Sequence, residues 1–326
     1  MTTTSGPAGT TVLAPRPAQP PTSGQPAGRP DVMTRRLAKL GWLFSAPALV
    51  VIGIVTIFPI VFSVVMSFSD VQVSGNGFSL GKLTTANYSA VLQSGRWQHD
   101  LIFTVVYTAV TVVAELVLGT AIALVLERLG AARGWMMALL LIPWSMITVI
   151  SAQLWRYIYD GTYGVADALL RPVLGFAPNF LGQPTLSVVS MMVADTWKTT
   201  PFVAIIVLAG LVMLPQEIYE AAEVDGAGGW ATFWRITFPL LRPTLALAVL
   251  FRVLQAFGLF DLPFVLTSGG PGYATESLAL LGYQVMFTNL DFGTGAAVAT
   301  STAALVLVGC MVFLKVFRAQ VAEDRG

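Results

Sequence analysis

Six long apolar runs dominate this chain, and a polypeptide has few ways to fold around them. They lie at about 42–68, 101–126, 135–155, 186–213, 243–266 and 292–314. Each has the length of roughly 20 residues that an α-helix needs to cross a bilayer core. Prolines inside them, such as Pro47 and Pro59, are tolerated by membrane helices, where neighbouring groups take up the freed backbone. Only 11% of the residues are charged, against roughly 25% in soluble domains. A lipid-facing exterior explains that deficit, whereas a larger soluble core does not. The chain reads as an all-α membrane protein with six transmembrane helices.

The basic residues orient the helices. With the N-terminus in the cytoplasm, Arg16, Arg29, Arg35, Arg36, Lys39, Arg128, Arg133, Arg235, Arg242, Lys315, Arg318 and Arg325 fall inside. Lys82, Arg96, Arg156 and Arg171 fall outside, and Lys198 and Arg252 lie within spans, completing the 18. The bias predicts both termini in the cytoplasm of a multi-pass protein. Residues 1–34, rich in Thr, Ala, Pro and Gly, read as a disordered cytoplasmic tail. The membrane domain then spans 35–318, and 319–326 form a second cytoplasmic tail. The outer connections are long and contain many turn formers, including Asn76-Gly77 and the run Ser268-Gly269-Gly270-Pro271-Gly272. Loops of that length hold short helices or serve as docking surfaces.

Composition also removes several functions. One cysteine, Cys310, leaves no disulfide framework and no cysteine metal site. A single histidine, His99, nearly removes histidine-dependent hydrolysis and reads as a surface residue. No G-x-x-x-x-G-K-[ST] run occurs, so a phosphate-cradling P-loop is absent. The chain reads as a non-enzyme with no metal and no cofactor of its own.

One segment, 215–239, is polar and broken by glycine between two apolar helices. Pro215 ends the preceding helix. Ile218, Ala221 and Ala222 then recur at three- and four-residue spacing on one face of a short helix, with Glu217, Glu220 and Glu223 on other sides. Gly226, Gly228 and Gly229 permit a sharp turn, and Trp230, Phe233 and Ile236 resume an apolar face. The expectation is helix, turn, helix across the cytoplasmic ends of the bundle. Spacing alone favours an ordinary amphipathic loop helix resting on the membrane surface.

Glu220-Ala221-Ala222, Asp225-Gly226-Ala227, Phe233, Ile236, Pro239 and Pro243 resemble the EAA motif of ABC importer permeases, with Phe238 where that family usually has leucine. The resemblance implies a type I importer permease fold in which Glu220, Ala221, Ala222, Asp225, Gly226 and Ala227 belong to a coupling helix. That helix would sit in a cleft of a separate ATPase dimer, which binds ATP and magnesium. Thr267-Ser268-Gly269-Gly270-Pro271 is similar to the carbohydrate-uptake branch. The implied partners are a second homologous permease, the ATPase pair, an extracytoplasmic binding protein or lipoprotein, the sugar and the bilayer, with no nucleic acid. The alanine-rich composition and proline-rich tail resemble mycobacterial-type trehalose importer subunits, making trehalose the preferred sugar.

Five ionisable residues lie within spans: Glu115, Asp195, Lys198, Arg252 and Asp261. Charges at that depth are costly and mark pathways or structural pairs. Asp195 and Lys198 are three residues apart and can pair on one helical face, either as a structural ion pair or in a hydrated cavity. Glu115 reads as structural, and Asp261 reads as a snorkelling residue near an outer helix end. Resemblance to maltose-type permeases implies that Asp195, Thr199, Phe202, Arg252, Ala256 and Leu259 line the substrate path. Lys198 and Gln255 are further polar candidates. A permease for glycerol phosphate or an osmolyte is the alternative, and a secondary transporter is a more distant one.

Overall fold

The computed structural model describes residues 32–74, 77–176 and 178–323. Of the expected tails, 1–31 and 324–326 lie outside the described residues, as does Asn76, whereas 32–34 are helical. The chain divides after Phe58 into two compact units. The first contains α1 (Val32–Ile52) and the π-helical turn Gly53–Ile57. Its apolar side chains, Trp42, Leu43 and Phe44 among them, are exposed, as suits a helix whose solvent is lipid.

The second unit begins at Pro59, inside α2 (Phe58–Ser67), and continues into a hairpin of β1 (Ser69–Ser74) and β2 (Gly77–Leu83). The two strands run antiparallel, pairing Val71 with Leu80 and Ser74 with Gly77, with a register shift between Ser69 and Val71. This small sheet is an addition to the expected helices. It is followed by α3 (Ala86–Gln93), α4 (Gly95–Arg128), a 3-10 turn at Gly130–Ala132, α5 (Arg133–Ser145), α6 (Thr148–Ile158) and α7 (Val165–Leu174). Next come α8 (Pro184–Val212), α9 (Gln216–Val224) and α10 (Gly229–Thr232), which runs through the π turn Phe233–Thr237 into α11 (Phe238–Phe257). The chain finishes with α12 (Asp261–Leu266), α13 (Leu278–Tyr283), the π turn Gln284–Thr288 and α14 (Phe292–Glu323).

Among the described residues, five helices are long and apolar enough to cross a membrane: Lys39–Ser67, Gly95–Arg128, Pro184–Val212, Gly229–Phe257 and Phe292–Lys315. The pair α5 and α6 makes a sixth crossing if counted together, although it is bent by 89°. Extended backbone at Met146 and Ile147 breaks the helix there, with no charged residue to mark the place. The fifth crossing also differs from the run expected at 243–266. It starts at Gly229 and ends at Phe257, and α12 forms a separate short helix beyond Gly258.

Helix α8 is the central element of the second unit, with 56% of its most apolar window buried against 11% for Phe292–Lys315. It packs between α4 and α11. A Cβ on Gly119 of α4 would lie 2.8 Å from Val203 Cγ1 of α8, so only glycine lets the two backbones come this close. Two apolar groups flank the middle of α8. Tyr107, Ala152, Tyr159, Met191, Leu262 and Leu266 fill one, and Ala123, Leu126, Val203, Val207, Leu241 and Ala248 fill the other. Between these groups lies a layer of buried polar side chains.

Candidate functional site

That layer is built by one face of each central helix. Tyr107, Thr111 and Glu115 recur every four residues on α4, all buried, and face Asp195 and Thr199 on α8 and Arg252 on α11. Arg252 donates from Nη2 to Glu115 Oε1 at 2.7 Å and from Nε to Glu115 Oε2, a bidentate pair. Nη2 also approaches Asp195 Oδ2 at 3.4 Å, and Nη1 donates to Gln255 Oε1 at 3.0 Å. The Thr199 hydroxyl donates to Glu115 Oε1 at 2.6 Å, and the Tyr107 hydroxyl donates to Asp195 Oδ2 at 3.1 Å. Each buried charge therefore has an opposite charge and a neutral hydrogen-bond partner, the condition under which burial is tolerable.

The expected substrate-path residues separate into two groups. Asp195, Thr199, Arg252 and Ala256 are buried inside the second unit. Lys198, Phe202 and Leu259 are half-buried, and Gln255 is exposed. The buried members thus hold the reachable ones. Glu115 and Asp195 fix Arg252, which in turn fixes the Gln255 amide at the surface. Phe202 stacks on Trp144 with centroids 5.7 Å apart and planes 11° apart, and meets the edge of Phe251 at 6.2 Å. These rings and Gln255 combine apolar faces with a polar tip.

One reading of the charged residues changes. Asp195 and Lys198 form no ion pair; Asp195 turns to Arg252 and Tyr107 because α8 meets α4 and α11 along that face. Glu115, read as structural, is fully buried and is the central acceptor of the network. Tyr107 was missed, although its four-residue spacing through Thr111 to Glu115 was a usable signal. Asp261 is exposed at the start of α12, in keeping with a residue near a helix end. His99 is half-exposed and lies 2.9 Å from Asp100 Oδ1. A cavity of about 930 Å³ between α4, α5 and α8 is different in character. Leu118, Met136, Leu139, Pro143 and Val193 line it, and no charged side chain does, so it suits acyl chains or helix surfaces better than a polar solute.

The glycine-broken segment forms α9, a turn and α10. Ile218 is half-buried and Ala222 is buried, whereas Ala221 is exposed. Of the three residues expected on one face, Ala221 therefore turns outward. Glu220 and Val224 are exposed with it, Val224 at 87%. Asp225 N–H donates to Ala221 O at 3.0 Å and Ala227 N–H to Ala222 O at 2.9 Å, closing the end of the helix. Gly226 has φ +75, the left-handed conformation common just past a helix C-terminus. Tyr219 of α9 meets the Thr237 hydroxyl at 3.3 Å, tying the short helix to the base of α11.

Apolar helices long enough to cross a bilayer, with a buried polar layer inside the second unit, define an integral membrane protein. Residues 82–322 match the family described as binding-protein-dependent transport system inner membrane component, and the chain belongs to that family. It is similar to the trehalose/maltose transport system permease protein MalF of Thermococcus litoralis, with 40% identity over 87% of this chain and 95% of that one. It is also similar to the trehalose transport system permease protein SugA of Mycobacterium tuberculosis, with 33% identity over 86% and 89% of the two chains. In fold it matches a chain of a bacterial alginate ABC transporter solved in complex with an alginate-pentasaccharide-bound periplasmic protein. That match has a TM-score of 0.73 at 21% identity, covering 85% of this chain and 94% of that one.

Proposed function

We propose that the chain is a permease subunit of an ATP-driven importer for a neutral sugar, with trehalose as the substrate. The observation that carries the substrate class is the state of Arg252. Its donors are engaged by Glu115, Asp195 and Gln255, so no guanidinium fork is left to bind a phosphate or carboxylate on the solute. What remains reachable is an amide, aromatic rings and one half-buried lysine, Lys198. Amides and ammonium groups exchange hydrogen bonds with sugar hydroxyls, and ring faces cover sugar C–H groups. The names of two relatives, which include trehalose, support the same choice. Phosphate esters, the alternative, fit this site poorly.

The rest of the system follows from this reading. The exposed face of Glu220, Ala221 and Val224, with Asp225, Gly226 and Ala227 in the turn, couples to a separate ABC ATPase dimer that holds ATP and magnesium. Motion reaches the bundle through the Tyr219–Thr237 contact and α11. A second permease forms the other half of the path, and an extracytoplasmic binding protein delivers the sugar, as in the alginate transporter complex. The subunit lies in the cytoplasmic membrane with both termini inside.

The test is uptake of labelled trehalose into vesicles containing the reconstituted complex. Expected is ATP-dependent accumulation that unlabelled sn-glycerol 3-phosphate does not compete away. Accumulation of the phosphate ester in place of trehalose would overturn the substrate assignment.

A further inference from the structure

Far from the polar layer, a second charged cluster joins the first turn of α4 to the loop between α12 and α13. Arg96 donates from Nε to Glu276 Oε2 and from Nη2 to Glu276 Oε1, both at 2.6 Å. Nη2 also donates to Gln284 Oε1. The same guanidinium lies over the ring of Tyr273, 4.0 Å from its centroid. Glu276 is fully buried, while the Arg96 side chain keeps 27% of its surface exposed. One arginine thus ties together a helix end, a loop carboxylate, a loop ring and the residue that opens the last π turn.

The loop is closed on itself as well. The Thr275 hydroxyl donates to Gly270 O at 2.8 Å and meets Thr267 Oγ1 at 2.6 Å, and Thr275 N–H donates to Gly269 O at 3.2 Å. The Ser277 hydroxyl donates to Leu259 O, and Leu278 N–H donates to Thr104 Oγ1 on α4 at 3.1 Å. At the apex of this braced loop, Tyr273 stands at φ +66, a conformation that non-glycine residues adopt only when their surroundings hold them. The side chain nevertheless remains 52% exposed. Packing of the interior gains little from such an arrangement. It does present one rigid aromatic side chain, with a hydroxyl tip, at a fixed place on the surface. Rigid aromatic residues beside arginine are the usual anchors of protein interfaces.

We propose that Arg96 is a positioning residue that holds Tyr273 as an anchor for a protein docking on the outer face of the membrane. The proposal rests on the importer reading above, which places this loop outside and supplies a sugar-loaded binding protein as the partner. Guanidinium is needed for two simultaneous tasks, a bidentate grip on Glu276 and stacking on Tyr273, and lysine performs neither in the same geometry.

The experiment measures ATP hydrolysis by the complete complex in lipid nanodiscs while the sugar-loaded binding protein is titrated. Tyr273→Ala is expected to raise the half-stimulating concentration at least about fivefold with the maximal rate unchanged. Arg96→Lys, which keeps the charge and so protects the buried Glu276, should shift it in the same direction, and Tyr273→Phe should restore it. A half-stimulating concentration that does not move in Tyr273→Ala overturns the proposal, as does a lower maximal rate at an unmoved concentration. If the unaltered complex is not stimulated at all, the importer reading falls, and the proposal falls with it.

Discussion

At the scale of single residues, the buried layer and its surface tip make different predictions. Glu115→Gln removes one charge of a buried pair and leaves Arg252 facing a neutral partner. Breaking such pairs costs about 3–5 kcal/mol, so the variant should melt at a clearly lower temperature in detergent. Gln255→Ala takes an exposed side chain off the Nη1 donor of buried Arg252 but removes no charge, so it should lower the melting temperature by less than Glu115→Gln does. Its expected effect is a several-fold higher sugar concentration for half-maximal uptake. Equal uptake curves for Gln255→Ala and the unaltered protein would remove it from the path. That Asp195 and Arg252 carry buried charge was legible in the sequence, since each interrupts an apolar run. Their partnership was not. They are 57 residues apart, and only the packing of α8 on α11 brings them together. Adjacency on one helix instead favoured Lys198, three residues from Asp195.

At the scale of elements, backbone conformation and close approach can be tested separately. Gly226 has open space around its missing Cβ but a φ of +75. Gly226→Ala should therefore cost about 1–2 kcal/mol through the backbone alone. It should disturb the turn after α9, lowering uptake per ATP hydrolysed while the protein still inserts. Gly119 is the opposite case, with ordinary helical backbone but Val203 only 2.8 Å from where a Cβ would stand. Gly119→Leu should force α4 and α8 apart and reduce the amount of folded protein recovered from membranes. The long helices were legible because apolar length is a local property of the chain. The break at Met146 and Ile147 was not, because both are as apolar as the helices they interrupt, whereas Gly258 was a usable stop signal for the break after Phe257. The hairpin at 69–83 was hidden for a related reason: its alternation is short and lies in a connection rich in turn formers.

For the whole molecule, the charge bias sets a direction that a reporter can check. A fluorescent-protein reporter fused after residue 326 should fluoresce and a phosphatase reporter fused there should stay inactive, because phosphatase needs the oxidising outer compartment; phosphatase activity there would reverse the assignment of every loop. The contents of the polar layer have an electrical consequence. Glu115, Asp195 and Arg252 occupy it, and Lys198 stands half-buried beside it, two acids and two bases along the proposed substrate path. A neutral cargo crossing a path balanced in this way moves no net charge through the membrane. The transmembrane voltage can contribute about 2.3 kcal/mol per charge per 100 mV, and here it has nothing to act on. Uptake should produce no current, and an imposed diffusion potential of either sign should leave its rate unchanged. The importer would be electrically silent, drawing on ATP alone whatever the energised state of the cell.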